Sequence, residues 1–100
     1  MIERYVFVKL KDPYADPAGR AAVASETRRR IEGLPGVLAL RVGRPADAHA
    51  EAAWDLSIAV RFADLEGVGA TLDHPDHRAY VDEFLLPRTK VLKAWNFDLE

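Results

Sequence analysis

The stretch WDLSIAVRF, Trp54 to Phe62, decides the fold. Trp54, Leu56, Ile58, Val60 and Phe62 alternate with Asp55, Ser57, Ala59 and Arg61, the period of two that sends successive side chains to opposite faces of a strand. One face is apolar without a break, so this strand has a core against it. Downstream, Asp64 is placed to cap a short helix, LEGVGATL. DHPDH, Asp73 to His77, then opens another helix that runs from Pro75 to about Leu86 and stops near Pro87, because an interior proline lacks the N–H the next turn needs. A last strand is expected from about Val91 to Leu99.

Upstream, MIERYVFVKL gives a second alternating run. Arg4, Val6, Val8 and Leu10 share one face, and Tyr5, Phe7 and Lys9 the other. Both faces carry apolar groups, which predicts cover on two sides. DPYADP breaks the chain, and Asp16 with Pro17 reads as the N-cap and first position of a helix to about Glu32. That helix has weak apolar positions at Ala21, Ala24, Ile31 and Leu34, the run Arg28–Arg30 near its negative pole, and Gly33 as its expected stop. LPGVLALRVGR then supplies a turn and a strand from Val37 to about Val42. PADAHAEA is expected to be a polar loop. The order β-α-β-β-α-(α)-β is that of an α+β, ferredoxin-like, four-stranded antiparallel sheet with helices on one face. Tyr5, Phe7, Val37, Ala39, Trp95 and Phe97 would lie on the open face. So large an apolar surface points to a homodimer, sheet against sheet.

Composition narrows the function. With 100 residues, 49% of them hydrophobic and 30% charged, the chain is one ordinary globular domain, residues 1–100. A net charge of −2, from 14 Lys and Arg against 16 Asp and Glu, leaves no basic stripe for nucleic acid. The absence of cysteine removes disulfides, thiolate catalysis and thiolate metal ligation. No segment approaches the roughly 18 apolar residues of a membrane span, and the start is not that of a secretory signal. A cytoplasmic location is the expectation.

Taken together, MIERYVFVKLKD, LPGVLALRVGR, WDLSIAVRFADLEGVGATLDHPDHRAYV and NFDLE resemble the stress-responsive α/β-barrel (Dabb) domain family over nearly the whole chain, with HPDH (residues 74–77) the most specific element. The resemblance implies a dimeric α+β barrel. It also implies a pocket between helices and sheet, which in the family's plant polyketide cyclases holds a histidine base beside a tyrosine. On this sequence the base falls on His77 and the preceding histidine on His74. The cyclase tyrosine falls on Thr71, a first-strand histidine of many members on Arg4, and an acid near the end on Asn96. The chain therefore departs from the cyclase pattern at three positions.

Two readings of these residues stay open. In the first, the segment is a helix start, capped by Asp73 or His74 with Asp76 complementing the dipole, and the barrel binds a small apolar or weakly acidic molecule or is filled by its own side chains. In the second, His77 is the general base of a cofactor-free lyase or cyclase, facing the sheet beside Arg4, Ile58 and Asn96, with Arg4 or Asn96 orienting an oxyanion. The candidate ligand-binding residues are Arg4, Ile58, Thr71, His74 and Asn96. An open cavity under His77 favours chemistry, and one closed by Ile58, Val60, Phe84 and Leu85 favours structure. Arg4 either lies at the strand rim or reaches the pocket and selects anions. A metal would need three converging ligands from His74, His77, an aspartate and His49, at a spacing unlike that of helical zinc sites, so no metal and no cofactor is expected. Trp54, Trp95, Tyr80 and Phe84 read as packing aromatics.

Overall fold

The computed structural model describes every residue from Met1 to Glu100. Its strands are β1 (Ile2–Leu10), β2 (Ala39–Gly43), β3 (Leu56–Phe62) and β4 (Thr89–Asp98), and its helices α1 (Pro17–Ile31), α2 (Ala48–Ala53), α3 (Leu65–Asp73), α4 (Pro75–Ala79) and α5 (Leu86–Arg88). A π-helical turn, Tyr80–Leu85, joins α4 to α5. The four strands form one antiparallel sheet in the order β2-β3-β1-β4, the ferredoxin-like arrangement. Val6 pairs with Ile58 on one side and Ala94 on the other, and Arg4 with Val60 and Asn96. These residues therefore share the helix-covered face.

That face is where the core sits. Val8, Leu10, Leu56, Ile58, Val60 and Phe62 from the sheet pack against Val23, Ala24, Ile31, Val68, Tyr80 and Leu85 from the helices. Each valine, leucine, isoleucine or phenylalanine among them withdrawn from water contributes roughly 1.5–3 kcal/mol before entropy is counted. Three aspartates start helices as the sequence predicts or permits: Asp16 accepts from the Gly19 N–H at 2.7 Å, Asp64 from Gly67 at 2.8 Å, and Asp47 from Ala50 at 2.8 Å. The last of these caps α2, where a polar loop was expected. Alanine is the best helix former, but a six-residue alanine-rich turn with no buried residue has no apolar period to betray it.

Other expectations need correcting. The α1 stripe is Val23, Ala24, Thr27 and Ile31 rather than one that includes Ala21. Helix α1 ends at Ile31 with Glu32 as its cap, so Gly33 follows the stop as expected, while the positive φ, 89°, belongs to Gly36. β2 begins at Ala39, and Val37 packs against the core instead of on the open face. β3 begins at Leu56, so Trp54 leaves the core face and leans on Phe7 with ring centroids 5.7 Å apart. Asp55, which alternation places outward, is fully buried; it accepts from the Leu10 N–H at 2.7 Å and from Arg20 Nε at 2.9 Å. The helical run ends at Arg88, one residue past Pro87, and takes the proline ring into its last turn. The preceding turn widens until the Leu86 N–H bonds to the Val81 carbonyl, five residues back. That wider turn relieves the clash between a proline ring and the carbonyl four residues before it. Arg88 Nη1 and Thr89 Oγ1 then bond the Phe84 and Leu85 carbonyls at 2.9 and 2.8 Å.

The other sheet face is open. Tyr5 and Phe97 meet edge-on at 5.8 Å and Phe7 and Trp95 at 6.2 Å, with Trp95 49% and Phe97 54% exposed. At one end of this face Glu3 is buried under Arg41 and Arg61, each hydrogen-bonded to its carboxylate. Burial pushes the Glu3 carboxyl up, but the hydrogen bonds and charges of the two arginines outweigh it and hold the group below its usual range. No helix is long and apolar enough to cross a membrane.

Candidate functional site

Between the sheet and the helices lies a cavity of about 200 Å³. It exists because the sequence places modest side chains on the covered face near β4: Ala94 sits beside Val6 in the ladder, and both border the cavity. Ile58, Val60, Leu85 and Leu92 make most of the remaining wall apolar. The polar groups on it are few: Arg4, His77, Thr71, Thr27 and Tyr80.

Arg4, Ile58, Thr71 and His77 thus come together around one space. Asn96 does not line it but stands at its rim, where its Oδ1 accepts from Arg4 Nη1 at 3.0 Å. His74 is elsewhere. It ends α3 and caps α4, its Nδ1 accepting from the Asp76 N–H at 3.1 Å, and it is not part of the cavity wall. Thr71 is buried and spends its hydroxyl proton on the Pro35 carbonyl at 2.8 Å, tying α3 to the turn before β2. Where the resemblance puts a catalytic tyrosine, this chain has a structural clasp. Val60 and Leu85 belong to the wall, whereas Phe84 stacks on Tyr80 with centroids 6.0 Å apart. Phe84 in turn lies under the Arg88 guanidinium at 4.1 Å.

His77 is half-buried, three residues into α4. Burial pushes its pKa down, and the positive charges of Arg4 and Arg78 add to this, against the opposing pull of the Leu72 carbonyl and Asp82. The ring is neutral at pH 7. Nδ1 is sealed from solvent without a well-formed hydrogen bond. A carbonyl only accepts, so the Leu72 oxygen favours a proton on the ring nitrogen facing it and leaves the other nitrogen a free lone pair. Arg4 is half-buried, and burial lowers its pKa too, yet a guanidinium stays charged. Its hydrogen-bond partner, Asn96, is neutral.

Tyr80 and Thr27 are the cavity residues that sequence reasoning missed. Both are buried, their hydroxyls 2.7 Å apart. Burial raises the Tyr80 pKa to about 12 against the opposing effect of the Thr27 hydrogen bond. A signal was present: Tyr80 follows His77 by three residues, so the two share a helical face, with ring centroids 6.4 Å apart. No group of three or more His, Asp or Glu side chains converges in a way that could hold a metal.

No curated protein matches the sequence. Among solved structures, a Dabb family protein with a ferredoxin-like fold from Mesorhizobium loti is similar with a TM-score of 0.84 at 18% identity, covering 99% of this chain and 96% of that one. A dimeric ferredoxin-like protein of unknown function from Thermobifida fusca gives 0.81 at 21% identity, with 98% and 90% covered. The hydroxynitrile lyase of Passiflora edulis gives 0.79 at 12%, with 99% and 93% covered. At such identities the likeness is one of fold. The model of the stress responsive A/B barrel domain matches residues 2–98, nearly the whole length, and the chain belongs to that family.

Proposed function

We propose that this protein binds a small, mainly apolar molecule bearing one acidic oxygen, held with its body against Ile58, Val60, Leu85 and Leu92 and its anionic end toward Arg4. The observation that carries the reading is Arg4 itself: a half-buried guanidinium on the wall of an apolar cavity, with a neutral asparagine for a partner. A cation so placed lacks both full hydration and a counter-ion, and a bound anion restores one of them. A dry cavity of about 150 Å³ accepts benzene. The slightly larger one here suits a six-membered ring or short chain with its substituents.

Calorimetric titration of benzoate and hexanoate against benzamide and hexanamide tests this. The acids bind at least tenfold tighter than their amides, and Arg4→Met removes that preference. Equal binding of acid and amide, or a preference that survives in Arg4→Met, sinks the proposal.

A second reading has its own support, the neutral imidazole with a free lone pair beside that cation. Such a pair suits proton abstraction by a cofactor-free lyase or cyclase, with His77 as general base and Arg4 receiving the enolate charge. The lyase activity of the Passiflora protein is compatible with chemistry on this fold. Exchange of the central C–H of a β-dicarbonyl compound in D2O, catalysed by the wild type and abolished in His77→Gln, is the expected result; equal exchange rates rule it out.

We infer, further, that the open sheet face is covered by a second copy of the chain. Exposed aromatics on β1 and β4 support this, as does the dimeric state of the Thermobifida relative.

A further inference from the structure

The acid-binding reading uses the partly exposed residues of the cavity wall, the half-buried Arg4 and His77 with Leu86, itself 47% exposed. The opposite character belongs to Thr27 and Tyr80, which are 0% and 2% exposed and also border the cavity. They mark its closed end.

Both protons find acceptors within the protein, but the pair keeps one free acceptor site. Thr27 Oγ1 donates its one proton to the Val23 carbonyl at 2.8 Å. Tyr80 must then donate its own to Thr27, across 2.7 Å, and its oxygen keeps acceptor capacity that no protein group fills. If both hydroxyls rotate, Thr27 donates to Tyr80 and Tyr80 donates onward. The pair can therefore accept from a hydroxyl or donate to a carbonyl. A phenylalanine and a valine would fill the same volume with no polar atoms to desolvate, and a buried hydroxyl pair contributes little to stability in exchange. Burial also keeps the Tyr80 proton in place at any physiological pH. Stacking on Phe84 holds the ring.

We propose that the Thr27–Tyr80 hydroxyl pair is a second polar anchor at the closed end of the cavity. The ligand is then a small ring or short chain with an acidic oxygen at one end and a neutral hydroxyl or carbonyl at the other. This rests on the acid-binding reading and narrows its ligand class to hydroxy-acids and oxo-acids of roughly one ring in size. Arg4 selects the charge, and Tyr80 selects the oxygen at the far end.

The test uses matched probes of equal shape. 3-Hydroxybenzoate and 4-hydroxybenzoate are titrated against 3-methylbenzoate and 4-methylbenzoate, with wild type, Tyr80→Phe and Arg4→Met. One hydroxyl isomer is expected to bind the wild type five- to tenfold tighter than its methyl partner, about the worth of one net hydrogen bond. In Tyr80→Phe that preference falls to unity while the methyl compounds bind as before. In Arg4→Met all four weaken together. Thr27→Val, which leaves the Tyr80 ring in place, serves as a second variant and also lowers the preference. A hydroxyl preference that persists in Tyr80→Phe, or no preference in the wild type, overturns this inference and leaves acid binding standing. Failure of all four acids to bind overturns both.

Discussion

His77 and Tyr80 stand three residues apart on one helical face with ring centroids 6.4 Å apart, and both border the same cavity. Burial pushes their pKa values in opposite directions, the imidazole's down and the phenol's up to about 12. Both are neutral at pH 7, one as a base with a free lone pair and the other as a hydroxyl. The charge at the site is then that of Arg4. Groups whose environments separate their titrations in this way are the raw material of acid and base roles.

The first prediction follows from the His77 shift. Its folded pKa lies below the unfolded value of about 6.5, so on acidification the unfolded chain takes up the proton first. The stability tied to a neutral His77 is fully present above about pH 6.5. It is lost as pH falls from there toward the depressed folded value. NMR titration of the His77 ring signals should give a midpoint below 6.5, and His77→Gln should flatten the decline in unfolding free energy between pH 6.5 and that midpoint. A midpoint at or above 6.5 contradicts the assigned environment.

Asp55 provides the second. Its buried carboxylate satisfies the Leu10 N–H and the Arg20 guanidinium, pinning α1 to the β1–β3 end of the sheet. Asp55→Ala leaves the buried Leu10 N–H without its acceptor and Arg20 with only the exposed Glu51 at 3.8 Å, and should cost about 3 kcal/mol; Asp55→Asn, which keeps an acceptor, should cost about half as much. Urea unfolding measures both. Because Asp55 is not part of the cavity wall, acid binding by the folded Asp55→Asn variant should be unchanged. A loss of under 1 kcal/mol in Asp55→Ala means the ion pair is not needed to hold the helix.

Asp55 also shows what the sequence could and could not convey. The alternation of Leu56, Ile58, Val60 and Phe62 was legible because a core on one face imposes a period of two, and the aspartate caps because their chemistry is local. Trp54 and Asp55 were misassigned because the strand begins after them, and alternation carries no marker of where it starts. The helix end near Pro87 was legible for the same local reason as the caps, but the π turn that admits the proline ring before Arg88 leaves no local mark. Arg4 and His77 were visible as chemistry on an apolar face. Thr27 was not, and Tyr80 only through its spacing from His77, since a threonine and a tyrosine on a helix read as packing until their hydroxyls are seen 2.7 Å apart.

The two glycines flanking Leu34–Pro35 give the third prediction. Gly36 has φ of 89°, and a Cβ there would stand 2.9 Å from Thr71 Oγ1, whereas Gly33 has open space around it. Gly36→Ala is strained in its backbone and presses on the hydroxyl that clasps Pro35, so it should lose about 1–3 kcal/mol. Gly33→Ala should be neutral or stabilise by about half a kcal/mol. Equal effects of the two substitutions in thermal unfolding contradict the turn geometry.

The last prediction concerns the open sheet face. Tyr5, Phe7, Trp95 and Phe97 lie on it as edge-on and tilted pairs. A second copy related by a two-fold axis would meet it with the same residues, so every substitution acts twice. Removing a central tryptophan from an interface costs about 2 kcal/mol or more. Two copies make about 4 kcal/mol, close to a thousandfold in dissociation constant. Sedimentation velocity at micromolar concentration should find the wild type as a dimer and Trp95→Lys as a monomer with an unchanged far-UV circular dichroism spectrum, since Trp95 lies outside the buried core. Glu3, buried under Arg41 and Arg61 at the end of the same face, adds a pH signature to the folding stability of the single chain. Its folded pKa is depressed, so its contribution is present above the unfolded value of about 4.3 and disappears as pH falls through the folded one. A wild type that stays monomeric at about 100-fold higher concentration, which tests for association weaker by about 3 kcal/mol, removes the second copy from the proposal.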